Sequence, residues 1–294
     1  LMNLEDGQVP SIDLNAEELD LPERWIISKL QSCVQNYNHQ LDRFHFNEAA
    51  KVLYDFTWND FCDWYIEIAK TRFYGNDDHA ADAARSVAIH VLKTVLTVLH
   101  PYAPFISEEL WAQVKSTDDP DLIINKWPEI EMDKKDEVAE KKMELLQEII
   151  TGIRTIRSRM NIPPGEKSDL IAKCDNEMAE FLQTHHTIIA SLTRTASVLT
   201  GADQNKPEQS ATVVIGKNEL YIPLGRLIDL DVEIARLQKR SDEINGHLLG
   251  ISNKLSNKQF MNKAPEKVVA REKEKQEDMT AELVKVNENL EILQ

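Results

Sequence analysis

The strongest constraint on how this chain can fold lies at its end. Leu227, Leu230, Ile234, Leu237, Ser241, Ile244, Leu248, Ile251 and Leu255 follow one another at alternating steps of three and four, the spacing of a heptad seam. After a break containing Pro265 the seam resumes as Val269, Glu272, Gln276, Met279, Leu283, Val286, Leu290 and Leu293. Two such helices with a short connection fold back on each other, so residues 226–294 are expected to form an antiparallel coiled-coil arm. At 1.5 Å per residue its first helix is roughly 40 Å long, a rod too thin to hold a second core. The seams are expected to match Leu230 with Leu290, Ile234 with Val286, Leu237 with Leu283 and Ile251 with Val269, turning near Phe260. A one-heptad slip, with Ile234 on Leu293 and Leu237 on Leu290, is also apolar near the base and stays open.

The rod also departs from the rest of the chain in charge. With 34 bases against 50 acids the whole carries a net charge of -16, which argues against broad affinity for nucleic acid. Residues 236–275 reverse that sign. They hold Arg236, Lys239, Arg240, Lys254, Lys258, Lys263, Lys267, Arg271, Lys273 and Lys275 against Asp242, Glu243, Glu266, Glu272 and Glu274, a local +5. Arg236, Lys239, Arg240 and Lys254 fall at heptad positions c, f, g and g, and Lys267 and Arg271 at f and c. All lie outside the seam, where long cationic side chains can reach phosphates. With Lys258 and Lys263 they are the candidate backbone-binding set. The rival is that they balance acids within the hairpin. Exposed pairs of that kind contribute about 0 to 1 kcal/mol, too little to require so many bases.

Upstream the sequence divides into three. Residues 1–20 are acidic and lack helical rhythm, and are expected to be a connecting tail. Residues 21–131 predict a helical bundle. Its first helix starts at Leu21-Pro22, and its second at Asn47 as N-cap. The third runs from about Ala80 to Leu99, and the fourth opens at Ser107 as N-cap with Ile106 and Trp111 as a hydrophobic staple. Ten of the nineteen aromatics fall between Phe44 and Tyr74. Most of Tyr54, Phe56, Trp58, Phe61, Trp64 and Tyr65 are therefore expected in the core, a stacking platform for bases being the alternative.

Residues 132–225 predict a small α+β module. A long amphipathic helix with Val138, Leu145, Ile149, Ile153, Ile156 and Met160 at helical spacing stops at Pro163-Pro164-Gly165. SDLIAKC, ATVVIG and NELYIPL read as strands, the last two joined across Gly216-Lys217-Asn218, with one helix from about Asp175 to Leu192 before them. The fold class is thus mainly α: a bundle, a small α+β module and a coiled-coil hairpin.

Catalytic signatures are missing. Cys33, Cys62 and Cys174 lie far apart, without the pairing a disulfide framework or zinc site needs. The eight His form no metal-ligand spacing, and no GxSxG, Walker A or GxGxxG sequence occurs. No apolar run is long enough to span a membrane. The beginning, LMNLEDGQVP, lacks a signal peptide's basic region and starts mid-pattern, so a piece of a longer, cytoplasmic polypeptide is expected.

FNEAAKVLYDFTWNDFCDWYIEIAK, followed by VLHPYAPFISEELW, WP and IRTIRSRMNIPPGEK, resembles the anticodon-binding region of class I aminoacyl-tRNA synthetases of the valine, isoleucine and leucine group. LYIPLGRLIDLDVEIARL and KLSNKQFMNKAPEKVVAREKEK are similar to the C-terminal arm found in the valine members. The resemblance covers about residues 21–294. It implies an anticodon-binding bundle, a tRNA-binding arm and tRNA(Val) as partner, with no DNA or membrane, in a monomer. The His-x-Gly-His and Lys-Met-Ser-Lys-Ser signatures that hold ATP in such enzymes are absent here. The resemblance therefore implies no cofactor and no catalytic or metal residue in this chain, with ATP and Mg belonging to the parent enzyme. Outside the arm, Arg154, Arg157 and Arg159 are the best electrostatic candidates for RNA. Their alternative is salt bridging or a helix-dipole role at a C-terminus. The competing functional readings are the same region of an isoleucine or leucine enzyme, or a coiled-coil protein-interaction module.

Overall fold

The computed structural model describes residues 19–75, 77–257 and 265–293. The expected tail, except Leu19 and Asp20, and the expected turn at Phe260 lie outside the described residues, as do Lys258 and Lys263. The chain divides into two compact units, Leu1–Glu148 and Ile149–Gln294.

In the first unit, α1 (Leu21–Asp42) begins with Pro22 in its first turn, where the missing N–H costs nothing. It buries Trp25, Ile26, Leu30, Val34 and Tyr37. The second long helix begins at Phe46, with His45 rather than Asn47 at the N-cap position and no side-chain cap bond. It is also not uniform. After α2 (Phe46–Asp55) the chain widens into a π-helix over Phe56–Ile66 and returns to α geometry in α3 (Glu67–Phe73).

That widening decides which rings face inward. The buried positions run Leu53, Phe56, Phe61, Tyr65 and Ile68, so the inward step from Phe56 to Phe61 is five residues, the π-helical spacing. An unbroken α-helix would bring Tyr54, Phe61 and Trp64 onto one side. Instead Phe56, Phe61 and Tyr65 are core, Trp64 is half-buried, and Tyr54 and Trp58 are exposed. The expectation that most of these rings are buried is corrected for Tyr54 and Trp58.

Helix α4 (Asp78–Leu99) is capped by Asp77, whose carboxylate accepts from the Ala80 N–H. Helix α5 (Pro104–Val114) starts one turn earlier than expected, with Pro104 in its first turn. Ser107 is therefore inside the helix, donating to the Ala103 carbonyl, and Ile106 is exposed, so no staple forms. Trp111 packs with Ile89, Leu96, Val114 and Leu122. The four-helix arrangement holds; two of its starting signals are corrected because a proline and a left-handed turn at Phe44 set the boundaries instead.

Helix α6 (Glu137–Arg159) buries Ala139, Met143, Leu146, Ile149, Ile150, Ile153 and Ile156, with Met160 buried just beyond its end, while Val138, expected on that face, is exposed. In the second unit four strands form a sheet of order β2-β1-β4-β3. Here β1 is Ser168–Lys173, β2 Thr195–Gly201, β3 Ser210–Ile215 and β4 Asn218–Pro223. The β3–β4 hairpin turns at Gly216, with φ of +58°, a conformation suited to glycine. Strand β2 pairs parallel with β1 and was not anticipated. The crossover between them is two short helices, α7 (Asn176–Thr184) and α8 (His186–Thr193), instead of one. A Cβ on Gly152 of α6 would lie 2.5 Å from Val213 on β3, so glycine permits their close approach.

The arm comprises α9 (Leu230–Ser256), capped by Asp229, and α10 (Glu266–Leu293). Leu227 is buried ahead of the helix. The Ser241 hydroxyl donates to Asn287 Oδ1 at 3.2 Å, and Lys254 pairs with Glu272 at 3.6 Å. In the expected register Ser241 would stand level with Met279, eight residues or about 12 Å along the axis from Asn287. Two short side chains cannot span that. The one-heptad slip places Ser241 level with Val286 and Lys254 level with Lys273, and both contacts then close. The expected register is thus corrected to the slip, which aligns Leu237 with Leu290, Ile234 with Leu293, and Ile244 with Leu283. Physically, the slip moves the polar Glu272 and Gln276 away from Leu248 and Ile244 toward the distal end.

Candidate nucleic-acid interface

On the arm, the candidate cations divide by what they touch. Arg236 forms a two-pronged pair with Glu233 one turn back, at 2.8 and 2.6 Å, and these bonds hold its guanidinium more firmly charged. Arg240 reaches across to Glu282 of α10 at 3.0 and 2.6 Å, with Glu243 at 3.5 Å, and its pKa rises for the same reason. Lys254 meets Glu272. Arg240 and Lys254 thus stitch the two helices of the hairpin, whereas Arg236 pairs within α9. Lys239, Lys267 and Arg271 are exposed and make no ion pair with any described residue. The internal-balance reading thus describes part of the set, through Glu233 and Glu282 as well as the acids expected from sequence.

The arginines of α6 are committed to the second unit. Arg154 donates to the Leu192 carbonyl at 3.0 Å. Arg157 is buried and donates to the carbonyls of Pro163 and Glu166, at 3.2 and 2.7 Å, and to Ser168 Oγ at 3.3 Å. Burial pulls its pKa down, yet three oxygen partners keep it paired, so it anchors the turn that leads into β1. Arg159 donates to Asn289 at 2.7 Å and Glu288 at 3.3 Å, fixing the end of α6 to the base of the arm.

The first unit presents exposed rings. Tyr54 and Trp58, one helical turn apart, are 63% and 55% exposed. Their planes lie 5° from parallel with centroids 6.4 Å apart, leaving outer faces open to a planar partner. Lys51, exposed on the preceding turn, supplies a cation beside them. A second group caps the end of the bundle where the α1–α2 and α4–α5 turns meet. Phe44, 78% exposed, stands edge-on to Phe46 at 6.3 Å, and the Tyr102 hydroxyl donates to the Phe46 carbonyl at 2.8 Å. Sequence periodicity, treating residues 48–74 as one α-helix, favoured the core for Tyr54 and Trp58 with stacking as the alternative, and did not single out Phe44 and Phe46. Phe44 and Phe46, flanking the helix start, were the available signal.

No group of three or more His, Cys, Asp or Glu able to hold a metal occurs among the described residues. None of their helices is long and apolar enough to cross a membrane. Rings that can stack on bases, and a thin rod with solvent-facing cations, together suit an RNA that is bound along its backbone and read at unpaired bases.

Residues 23–173 match the anticodon-binding domain of tRNA ligase, and residues 229–294 match the valyl-tRNA synthetase tRNA binding arm. The chain is 35% identical over 294 residues to the valine-tRNA ligase of Listeria innocua, all of this chain and 33% of that protein. It is 34% identical over 282 residues to that of Bacillus subtilis, 96% of this chain and 32% of the relative. With that of Syntrophotalea carbinolica it shares 37% over 295 residues, again all of this chain and 33% of the relative. The chain thus spans about a third of the length of the curated relatives it matches. It belongs to the anticodon-binding family of tRNA ligases and carries the tRNA-binding arm of the valyl-tRNA synthetases.

Proposed function

We propose that this chain is the tRNA-recognising region of a cytoplasmic, monomeric valine-tRNA ligase and that its partner is tRNA(Val). The observation that carries the reading is that Lys239, Lys267 and Arg271 face solvent on a rod and pair with no described residue, in a chain whose net charge is -16. An acidic protein with that arrangement attracts a polyanion at one place and repels it elsewhere. The cations between residues 236 and 271, Arg236, Lys239, Arg240, Lys254, Lys258, Lys263, Lys267 and Arg271, follow the phosphates along the outer corner of the tRNA. RNA helices are bound mostly through shape and backbone, so this contact positions the tRNA without reading its sequence. The bundle takes the anticodon end. There Tyr54 and Trp58, or Phe44 and Phe46, offer stacking faces for unpaired bases, each such stack contributing about 1 to 3 kcal/mol.

Joining valine to tRNA, with the ATP and Mg that reaction uses, belongs to the parent enzyme. This chain lacks the ATP-binding signatures and is expected to show no valine-dependent ATP–pyrophosphate exchange by itself. The test of the partner is a gel shift of the chain against total tRNA, followed by identification of the retained species. Enrichment of tRNA(Val) supports the reading. Retention of isoleucine or leucine tRNAs in its place, or of none, overturns it.

A further inference from the structure

We propose that the arm meets RNA with one particular broad face, formed by heptad positions c and g of both helices with the f positions Lys239 and Lys267 at its outer edge, and turns its b and e face away. This rests on the reading of the arm as tRNA-binding and adds an orientation to it, together with two residues, Lys275 and Lys285.

In an antiparallel two-helix coil the g positions of both helices flank one side of the seam and the e positions the other. The ion pair of Arg240 with Glu282, both g, lies on the first side. Ser241 meets Asn287, an e position, toward the second. The hairpin therefore has two broad faces, and their charges differ. The c and g positions of the described helices hold Arg236, Arg240, Lys254, Arg271, Lys275 and Lys285 against Glu233, Glu243, Asp278 and Glu282, a net +2. The b and e positions hold Lys273 alone against Asp231, Asp242, Glu266, Glu277 and Glu291, a net -4.

Pairing sharpens the contrast. Three of the acids on the c and g face, Glu233, Glu243 and Glu282, are held by Arg236 and Arg240 toward the base of the arm. In the slipped register Arg271 and Lys275 stand level with Ser256 and Ser252, beside Lys254, with Asp278 as the nearest acid on that face. Arg271 and Lys275 are exposed and pair with no described residue. Phosphates approaching this distal part meet Arg271 and Lys275, with Lys254 shared with Glu272, whereas phosphates approaching the other side meet Lys273 between Glu266 and Glu277. Coulomb interactions at these separations act within a Debye length of about 8 to 10 Å, comparable to the width of one helix. The two faces are thus electrostatically distinct, and the attractive one sets how the rod lies on the RNA.

Lys273 and Lys275 provide a matched comparison. They sit two residues apart on the same helix at nearly the same height, on opposite faces, and replacing either by Gln changes the net charge equally. The experiment measures tRNA affinity of the 294-residue chain, unmodified and as K275Q, K273Q and R271Q, across a range of salt, with circular dichroism to verify the arm's helicity. K275Q and R271Q are each expected to flatten the slope of log affinity against log salt by roughly 0.7 to 0.9, the loss of one phosphate contact, and K273Q to leave it unchanged. A slope flattened as much by K273Q as by K275Q, or unchanged in all three variants, overturns the face assignment while the arm's role stands. No tRNA binding by the unmodified chain overturns that role and the face assignment together.

Discussion

Glu23 lies in the first turn of α1, where an acid suits the helix dipole, yet it is fully buried and its carboxylate meets Arg72 at 2.7 Å. Burial outweighs Arg72 and pushes its pKa up to about 7. A carboxylic acid with a raised native pKa retains, between about pH 4.5 and 7, a proton that the unfolded chain has released, so its contribution to stability falls as pH rises through that window. Chemical denaturation of the chain and of E23Q at pH 5 and pH 7.5 is expected to show the wild type losing stability relative to E23Q at the higher pH. The aromatic positions separate in the same residue-by-residue way. Phe61→Ala is expected to cost about 3 to 5 kcal/mol as a core truncation. Tyr54→Ala, at an exposed ring, should stay within about 0.5 kcal/mol while weakening tRNA binding. Equal destabilisation by both would return Tyr54 to the core.

Elements were legible where one period runs unbroken. The arm, α1, α4 and the β3–β4 hairpin follow from spacing and turn residues, as the sequence indicates. The π segment was hidden because its single five-residue step between Phe56 and Phe61 leaves the surrounding three-and-four pattern intact. Strand β2 was hidden because TASVLTG alternates weakly and only Thr195 of it is buried, at the sheet edge. The arm's register was underdetermined for a different reason: a heptad seam is nearly self-similar under a shift of seven, and only polar contacts such as Ser241 with Asn287 distinguish the alternatives. A cysteine pair tests this directly. Under mild oxidation Leu237→Cys with Leu290→Cys is expected to crosslink within the hairpin, as mapped by peptide mass spectrometry, and Leu237→Cys with Leu283→Cys is not. The opposite result would restore the unslipped register.

At the scale of the whole molecule, the proposed function divides tRNA recognition between the cationic arm and the exposed rings of the bundle. The cationic candidates of the arm were visible in the sequence because their sign departs from the acidic background. The stacking faces of the bundle were not, because exposure depends on which way a widened helix turns. The central claim is that the arm binds tRNA through its backbone, and one measurement addresses it most directly: the salt dependence of tRNA affinity for the chain with Lys239, Lys267 and Arg271 replaced together by Gln. The account expects helicity to be retained and the slope of log affinity against log salt to flatten by roughly 2 to 3, with similar weakening for any tRNA. An unchanged affinity and slope, with the arm still helical, would contradict it.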